Sequence, residues 1–379
     1  MDKKMFLLGY IPELDGLRGI AVLAVMLFHA KAPFMKGGFI GVDLFFVLSG
    51  FLITAILIRE YDTNHHIHLK HFYLRRVLRL APALMLLLLV HASLSLFFLD
   101  EAKAHSNLID SLIALFYASN WARAFNIHPP DLLGHTWSLS IEEQFYILWP
   151  LMLLLFLRAT DSRKKLFLTV VLLAVFSWVL RIFLASHGAS VQRLYNGLDT
   201  RADALLIGCA LGVALSSNLL SEKLQGMLSP LMKYATPLSA LALIAIGHGS
   251  TWNGRYVYYW ISFLVSLFSA ILIFDVLMTK NAILKSILSH YFLVWTGSIS
   301  YGLYLWHYPI YMTMKSYGFD RLSIITLGSA MTFLAASSSY YLMERPILKL
   351  KSRLSRARSG TLPGPLAVPL RSMAVGEPG

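Results

Sequence analysis

Residues 39–58 read FIGVDLFFVLSGFLITAILI, a run of twenty residues with a single charge, Asp43. About twenty apolar residues in a helix cross the hydrocarbon core of a bilayer. A helix is also one of the few structures that satisfies its own backbone polar groups there. Working outward, comparable runs occupy 17–32, 80–99, 139–157, 166–186, 203–217, 234–248, 256–278, 291–314 and 322–342. The pattern predicts an all-α polytopic membrane protein of about ten transmembrane helices. Composition agrees: 57% of residues are hydrophobic and 14% charged, against roughly 25% charged in a soluble domain. No repeat of 20–50 residues stands out. Residues 1–350 read as one membrane domain, and 351–379 as a tail that is first basic and then Pro/Gly-rich and flexible. The opening Met1-Asp2-Lys3-Lys4 leads to no small-residue cleavage site, so the first apolar run is expected to be retained.

The net charge is +13. In a soluble chain such a charge points to nucleic acid, but here the basic residues cluster in short loops beside apolar runs, as topology alone requires. Nucleic acid is therefore not an expected partner; the bilayer is. Arg59, Lys70, Arg75, Arg76 and Arg79 lie between the second and third runs, and Arg158, Arg163, Lys164 and Lys165 follow the fourth. Lys280 and Lys285 follow the eighth, and the segment after 342 is strongly basic. Asp100 and Glu101 mark an opposite face. The positive-inside bias places both termini in the cytoplasm. Residues 108–122 (LIDSLIALFYASNWA) are short for a crossing, and counting them would invert every later loop. They read as re-entrant or as lying at the outer surface. The single cysteine, Cys209, can form no internal disulfide, and no cysteine cluster for a metal exists. No metal site and no permanently bound cofactor are expected, and no pattern specifies an oligomeric state.

Ionisable groups inside spans are costly and are functional hypotheses by default. Arg18 and His29 are eleven residues apart, which puts them on one helix face about 16 Å apart along the axis. An arginine suits a phosphate, a histidine proton transfer. In 37–51, GGFIGVDLFFVLSGF, Asp43 needs a partner and Ser49-Gly50 interrupts the span; small residues there also permit close helix packing. Arg76 and Arg79 share a helix face, either as topological anchors or as a phosphate site. The stretch HTWSLSIEEQFY, 135–146, brings Trp137, Ser138, Glu142 and Glu143 into an apolar span. Arg201 and Asp203 open another, free to pair with each other, with Asp43 or with Glu142. Tyr304 and His307 lie inside the ninth. No P-loop, GxSxG, HExxH or paired CxxC occurs.

The series PELDGLRGIAVLAVMLFH, GVDLFFVLSGFLI, FYLRRVLRLAP, HTWSLSIEEQFYILWP, TRADALLIG and SISYGLYLWHYPI, closed by Glu344-Arg345-Pro346, resembles the acyltransferase-3 family in the family's own order, from about residue 10 to 350. The resemblance implies a bacterial inner-membrane O-acyltransferase. Such an enzyme moves acetyl, or a longer acyl group, from cytoplasmic acyl-CoA to a glycan or glycolipid such as lipopolysaccharide O-antigen. It further implies that Arg18 and His29 form the family's arginine–ten residues–histidine motif, with His29 as the leading catalytic candidate. Arg76 and Arg79 match its paired arginines, and Glu142 and Glu143 its WSLSxEEQF segment. Many relatives add a periplasmic hydrolase-like domain; this chain is expected to be a form without one.

Residues and resemblance together give one expectation. Acetyl-CoA is the donor substrate, its phosphates held by Arg18, Arg76 and Arg79. The thioester reaches His29, which either deprotonates the acceptor hydroxyl or briefly carries the acyl group. Glu142 or Asp43 orients the imidazole, as a third group does in a triad. Peptidoglycan, an exopolysaccharide, a lipid or a small natural product is the alternative acceptor. A transporter using Arg, His and Glu as a proton relay is the competing class, and it leaves the cytoplasmic arginines unexplained.

Overall fold

The computed structural model describes residues 9–279 and 281–348. The expected tail 351–379, the first four residues and Lys280 lie outside that range. The described chain is helical: α1 Pro12–His29, α2 Gly41–Asn64, α3 Leu69–Phe98, α4 Glu101–Leu115, α5 Ser119–Ala124, α6 Trp137–Ala159, α7 Arg163–Ser186, α8 Val191–Asn196, α9 Leu198–Ser216, α10 Glu222–Gly249, α11 Ser262–Met278, α12 Ala282–Leu288, α13 Tyr291–Ser298, α14 Ser300–Ser316, α15 Arg321–Ser323 and α16 Ser329–Ser339. Single π-helical turns at Val257–Ile261, Ile324–Gly328 and Tyr340–Glu344 extend α11, join α15 to α16 and close the last helix.

Each of the ten expected runs coincides with helical chain, but seven helices among the described residues are long and apolar enough to cross a membrane. The other three runs fall short for visible reasons. α1 carries Glu13, Asp15 and Arg18; α9 carries Asp199, Arg201 and Asp203; and the run 291–314 breaks at Ile299 into α13 and α14. The segment 108–122 is a short hairpin. α4 stops at Leu115, Tyr117 takes a left-handed φ of 52°, and α5 restarts at Ser119.

The centre is set by α2 and α9, which pack face to face. A Cβ on Gly50 would overlap the Leu205 carbonyl, and one on Gly208 the Val47 carbonyl. Only glycine lets these backbones meet. In its most apolar stretch α2 is 78% buried, whereas α10 is 17% buried, so α10 is peripheral. Outward faces carry Leu89, Leu155, Phe176, Ile244 and Leu334 exposed. In water such faces invite aggregation; against lipid tails they are solvated. α1 packs on α2 and also carries α14, with α6 meeting both α2 and α9. The candidate residues occupy the space between them.

Candidate active site

His29 is the last residue of α1. The free carbonyls of a helix C-terminus carry partial negative charge and favour a cation there. Its Nδ1 lies 3.0 Å from Nε2 of His307, and Nδ1 of His307 lies 3.1 Å from the Leu303 carbonyl one turn earlier on α14. A carbonyl only accepts, so His307 Nδ1 carries the hydrogen. Neutral His307 therefore offers a lone pair at Nε2, and His29 donates to it from Nδ1. The network assigns an unprotonated Nε2 to His29. His307 is fully buried, while His29 stays partly accessible.

A third imidazole stands beside this pair. His135 sits in the 3-10 turn Gly134–Thr136 that leads into α6. Its ring stacks on Tyr308 at 5.1 Å and lies 5.6 Å from His307, and Tyr308 meets His29 edge-on at 4.9 Å. The Tyr304 hydroxyl donates to the His135 carbonyl at 3.0 Å and lies 2.6 Å from Ser138 Oγ. Tyr304 and Ser138 thus fasten the turn before α6 to α14.

One to two turns along α6 lies a charged cluster. Glu142 accepts a hydrogen bond from Ser49 at 2.6 Å. Arg76 places its guanidinium 3.3 Å from the centre of the Tyr146 ring and 3.7 Å from Glu143 Oε1. Arg79 lies within electrostatic reach of both Arg18 and Arg76, and all three act on Glu142. Arg18 has Asp15 at 3.9 Å, whereas no carboxylate among the described residues comes within ion-pair distance of exposed Arg79. The arginines lie near the first turns of α1, far from His29 at its last.

Asp43, Arg201 and Asp203 form a separate layer. Arg201 Nη2 lies 2.8 Å from Asp43 Oδ1, both side chains buried, inside a shell made by Phe46, Trp137 and Tyr195. Asp203 takes Arg181 bidentately at 2.8 and 2.7 Å. Of the pairings left open for Arg201, the structure selects Asp43, because Arg181 already occupies Asp203.

The expected carboxylate support for His29 requires correction. Glu142 is held by Ser49 and Asp43 by Arg201, and neither bonds to His29; the supporting group is His307, itself a candidate, acting from α14. Asp43 faces α9 because it sits on the first turn of α2, and α9 is that helix's main partner. Three contributors carry no role in the sequence reading: His135, Tyr308 and Arg181. His135 is inside a quoted motif, and Arg181 lies in an apolar run, where any charge signals a partner. That signal was present for both. Tyr308 also lies inside a quoted motif, SISYGLYLWHYPI, but an aromatic residue in a span carries no charge to mark it.

The arrangement offers an accessible imidazole lone pair within a histidine-rich end, with an arginine-rich end at the opposite terminus of α1. Residues 11–343 match the acyltransferase-3 family, described as "Acyltransferase domain". Peptidoglycan O-acetyltransferase OatA of Listeria monocytogenes is 37% identical over 350 residues, covering 90% of this chain and 56% of the relative. The putative peptidoglycan O-acetyltransferase YrhL of Bacillus subtilis is 37% identical over 354 residues, 89% of this chain and 55% of the relative. O-acetyltransferase OatA of Staphylococcus aureus is 34% identical over 361 residues, with 92% and 58% covered. The chain spans somewhat more than half the length of these curated relatives. No solved structure matches.

Proposed function

The chain belongs to the acyltransferase-3 family, and from that premise we propose that it is an O-acetyltransferase moving acetyl from acetyl-CoA to a hydroxyl of peptidoglycan. The protein is a multi-pass membrane protein. We place it in the bacterial cytoplasmic membrane, crossing about ten times with both termini inside; the charges of α1 and α9 are compatible with crossing because Asp15 and Arg18 pair with each other and Arg201 and Asp203 pair within the bundle. Arg18, Arg76 and Arg79 then face the cytoplasm, where CoA phosphates are met by charge-assisted hydrogen bonds.

One observation carries the mechanism: the chain from His29 through His307 to the Leu303 carbonyl. It leaves His29 Nε2 as a base without any carboxylate. His29 Nε2 takes the proton of the acceptor hydroxyl as the oxygen attacks the thioester carbonyl. The C–S bond breaks, the thiolate recovers the proton from His29, and the products are the acetyl ester and free CoA. The transient imidazolium is favoured by the α1 C-terminus and keeps its hydrogen bond to His307.

Peptidoglycan rather than O-antigen is the acceptor favoured here, because two of the three relatives above are named for it. The test is purified protein in detergent with radiolabelled acetyl-CoA, offered peptidoglycan fragments and O-antigen separately. Label on the peptidoglycan sugars, absent with His29→Ala, is the expected result. Label on O-antigen alone would replace the acceptor. Intact acetyl-CoA binding with no transfer to any glycan would favour a transporter instead, since detergent leaves it no second compartment.

A further inference from the structure

His135 is 2% exposed, yet neither ring nitrogen has a hydrogen-bond partner. A buried polar group left unpaired costs of the order of a lost hydrogen bond, so this ring needs an explanation. The backbone of Leu305 on α14 lies close enough to interact with the ring. Its carbonyl has lost its helical donor, because the residue four places on is Pro309, which has no N–H. A carbonyl accepts, so the ring nitrogen facing it carries the hydrogen. The other nitrogen is then a lone pair with nothing to receive. It lies in the same aromatic nest as His29, since Tyr308 touches both rings.

We propose that His135 is a substrate-contacting residue that accepts a hydrogen bond from the sugar acceptor, from a hydroxyl or amide N–H next to the hydroxyl that reacts. This rests on the acetyltransferase reading above. Position argues for the acceptor rather than the donor. His135 lies seven residues before Glu142 and just ahead of α6, about 10 Å along that axis, on the side away from Arg18, Arg76 and Arg79. It keeps company with His29 at the last turn of α1 and Tyr308 on α14. Tyr304 and Ser138 are positioning residues in this scheme: they hold the backbone of the turn that carries the ring.

The orphaned ring separates function from stability. If the ring serves the substrate, His135→Phe leaves melting temperature unchanged or higher, because an unsatisfied polar group is replaced by an apolar one of similar shape. The test compares wild type, His135→Phe and His135→Gln with acetyl-CoA and soluble peptidoglycan fragments. It measures acetyl-CoA affinity, CoA release without acceptor, and kcat and KM for the fragments. Expected for His135→Phe is a loss of about ten- to a hundredfold in kcat/KM for the acceptor. Acetyl-CoA affinity and acceptor-free CoA release stay as in wild type. His135→Gln, whose amide can donate to Leu305 and accept from the sugar, recovers most of the loss. Unchanged acceptor kinetics in His135→Phe would overturn the proposal, as would an equal fall in acceptor-free CoA release. If His135→Phe does not fold, the flexible apolar His135→Met takes its place, and failure of both to fold shows the ring to be a packing element. A wild type that transfers nothing would overturn the acetyltransferase reading itself, an outcome distinct from all of these.

Discussion

Replacing His307 by Leu is the perturbation that isolates the imidazole chain. His307 is fully buried, and leucine fills a similar volume. The helix keeps its backbone ladder, and the Leu303 carbonyl keeps the backbone N–H of residue 307 as its helical donor. What disappears is the acceptor for His29 Nδ1–H, at 3.0 Å. A neutral hydrogen bond of this kind is worth about 0.5–1.5 kcal/mol net, and one to a charged partner about 1.5–3. The first figure measures the loss of the correct tautomer in the resting enzyme. The second measures the loss of support when His29 becomes an imidazolium in the transition state. At 1.4 kcal/mol per factor of ten, kcat should fall by about ten- to a hundredfold. Acetyl-CoA affinity should not move, because the arginines lie toward the other end of α1. His307→Gln offers a carbonyl oxygen to His29 Nδ1–H and should restore part of the rate. The assay is initial-rate CoA release with a thiol reagent at saturating acceptor, alongside a binding titration of acetyl-CoA. A His307→Leu protein with wild-type kcat would refute the tautomer argument, and one that weakens acetyl-CoA binding instead would place His307 on the donor path.

Arg79→Ala should weaken acetyl-CoA binding about ten- to a hundredfold, as loss of a charge-assisted phosphate contact. Arg76→Ala should do less, because that guanidinium is already engaged with Tyr146 and Glu143; titration calorimetry on folded variants decides the order. Asp43→Asn strands a buried guanidinium and should cost about 3–5 kcal/mol of stability, read as a lower melting temperature, while the protein that does fold keeps its KM for acetyl-CoA. The paired change Asp43→Leu with Arg201→Met should recover most of that stability, and a double variant as unstable as the single one would show that the pair is not the cause. With Cys209→Ser as background, cysteines placed at Ser162 and Lys285 should resist an impermeant thiol reagent in whole cells and one at Asn253 should react. Labelling at Ser162 would reverse the orientation assigned to α6.

The sequence made the helices legible because lipid imposes a single demand, an unbroken apolar run, and that demand is written residue by residue. It was least informative where the demand is relaxed. α1 and α9 carry charges that find partners inside the bundle, so their apolarity alone falls below that of a span. The break at Ile299 lies inside a run that reads as continuous, and no proline or charge marks it. The site was legible by type but not by pairing. Arg18, Arg76 and Arg79 were expected together and lie together. His29 was expected to have a carboxylate, on the analogy of a triad, and has His307 instead. Chain position shows that an intramembrane imidazole needs a partner; it does not show which of several helices supplies one.

That substitution makes physical sense in a bilayer. An ionised carboxylate beside His29 would itself need to be desolvated, at a cost of several kcal/mol that its attraction to a neutral imidazole cannot return. Three carboxylates of this protein avoid that cost by residing with arginines: Asp43 with Arg201, Asp203 with Arg181, Glu143 with Arg76. A second neutral imidazole, anchored on a backbone carbonyl, fixes the tautomer without adding a charge to the resting site. The positive charge then exists only while the acceptor proton is on His29, against the C-terminal carbonyls of α1. A site built this way spends electrostatic stabilisation on the transition state rather than on the ground state, which is the condition for raising kcat.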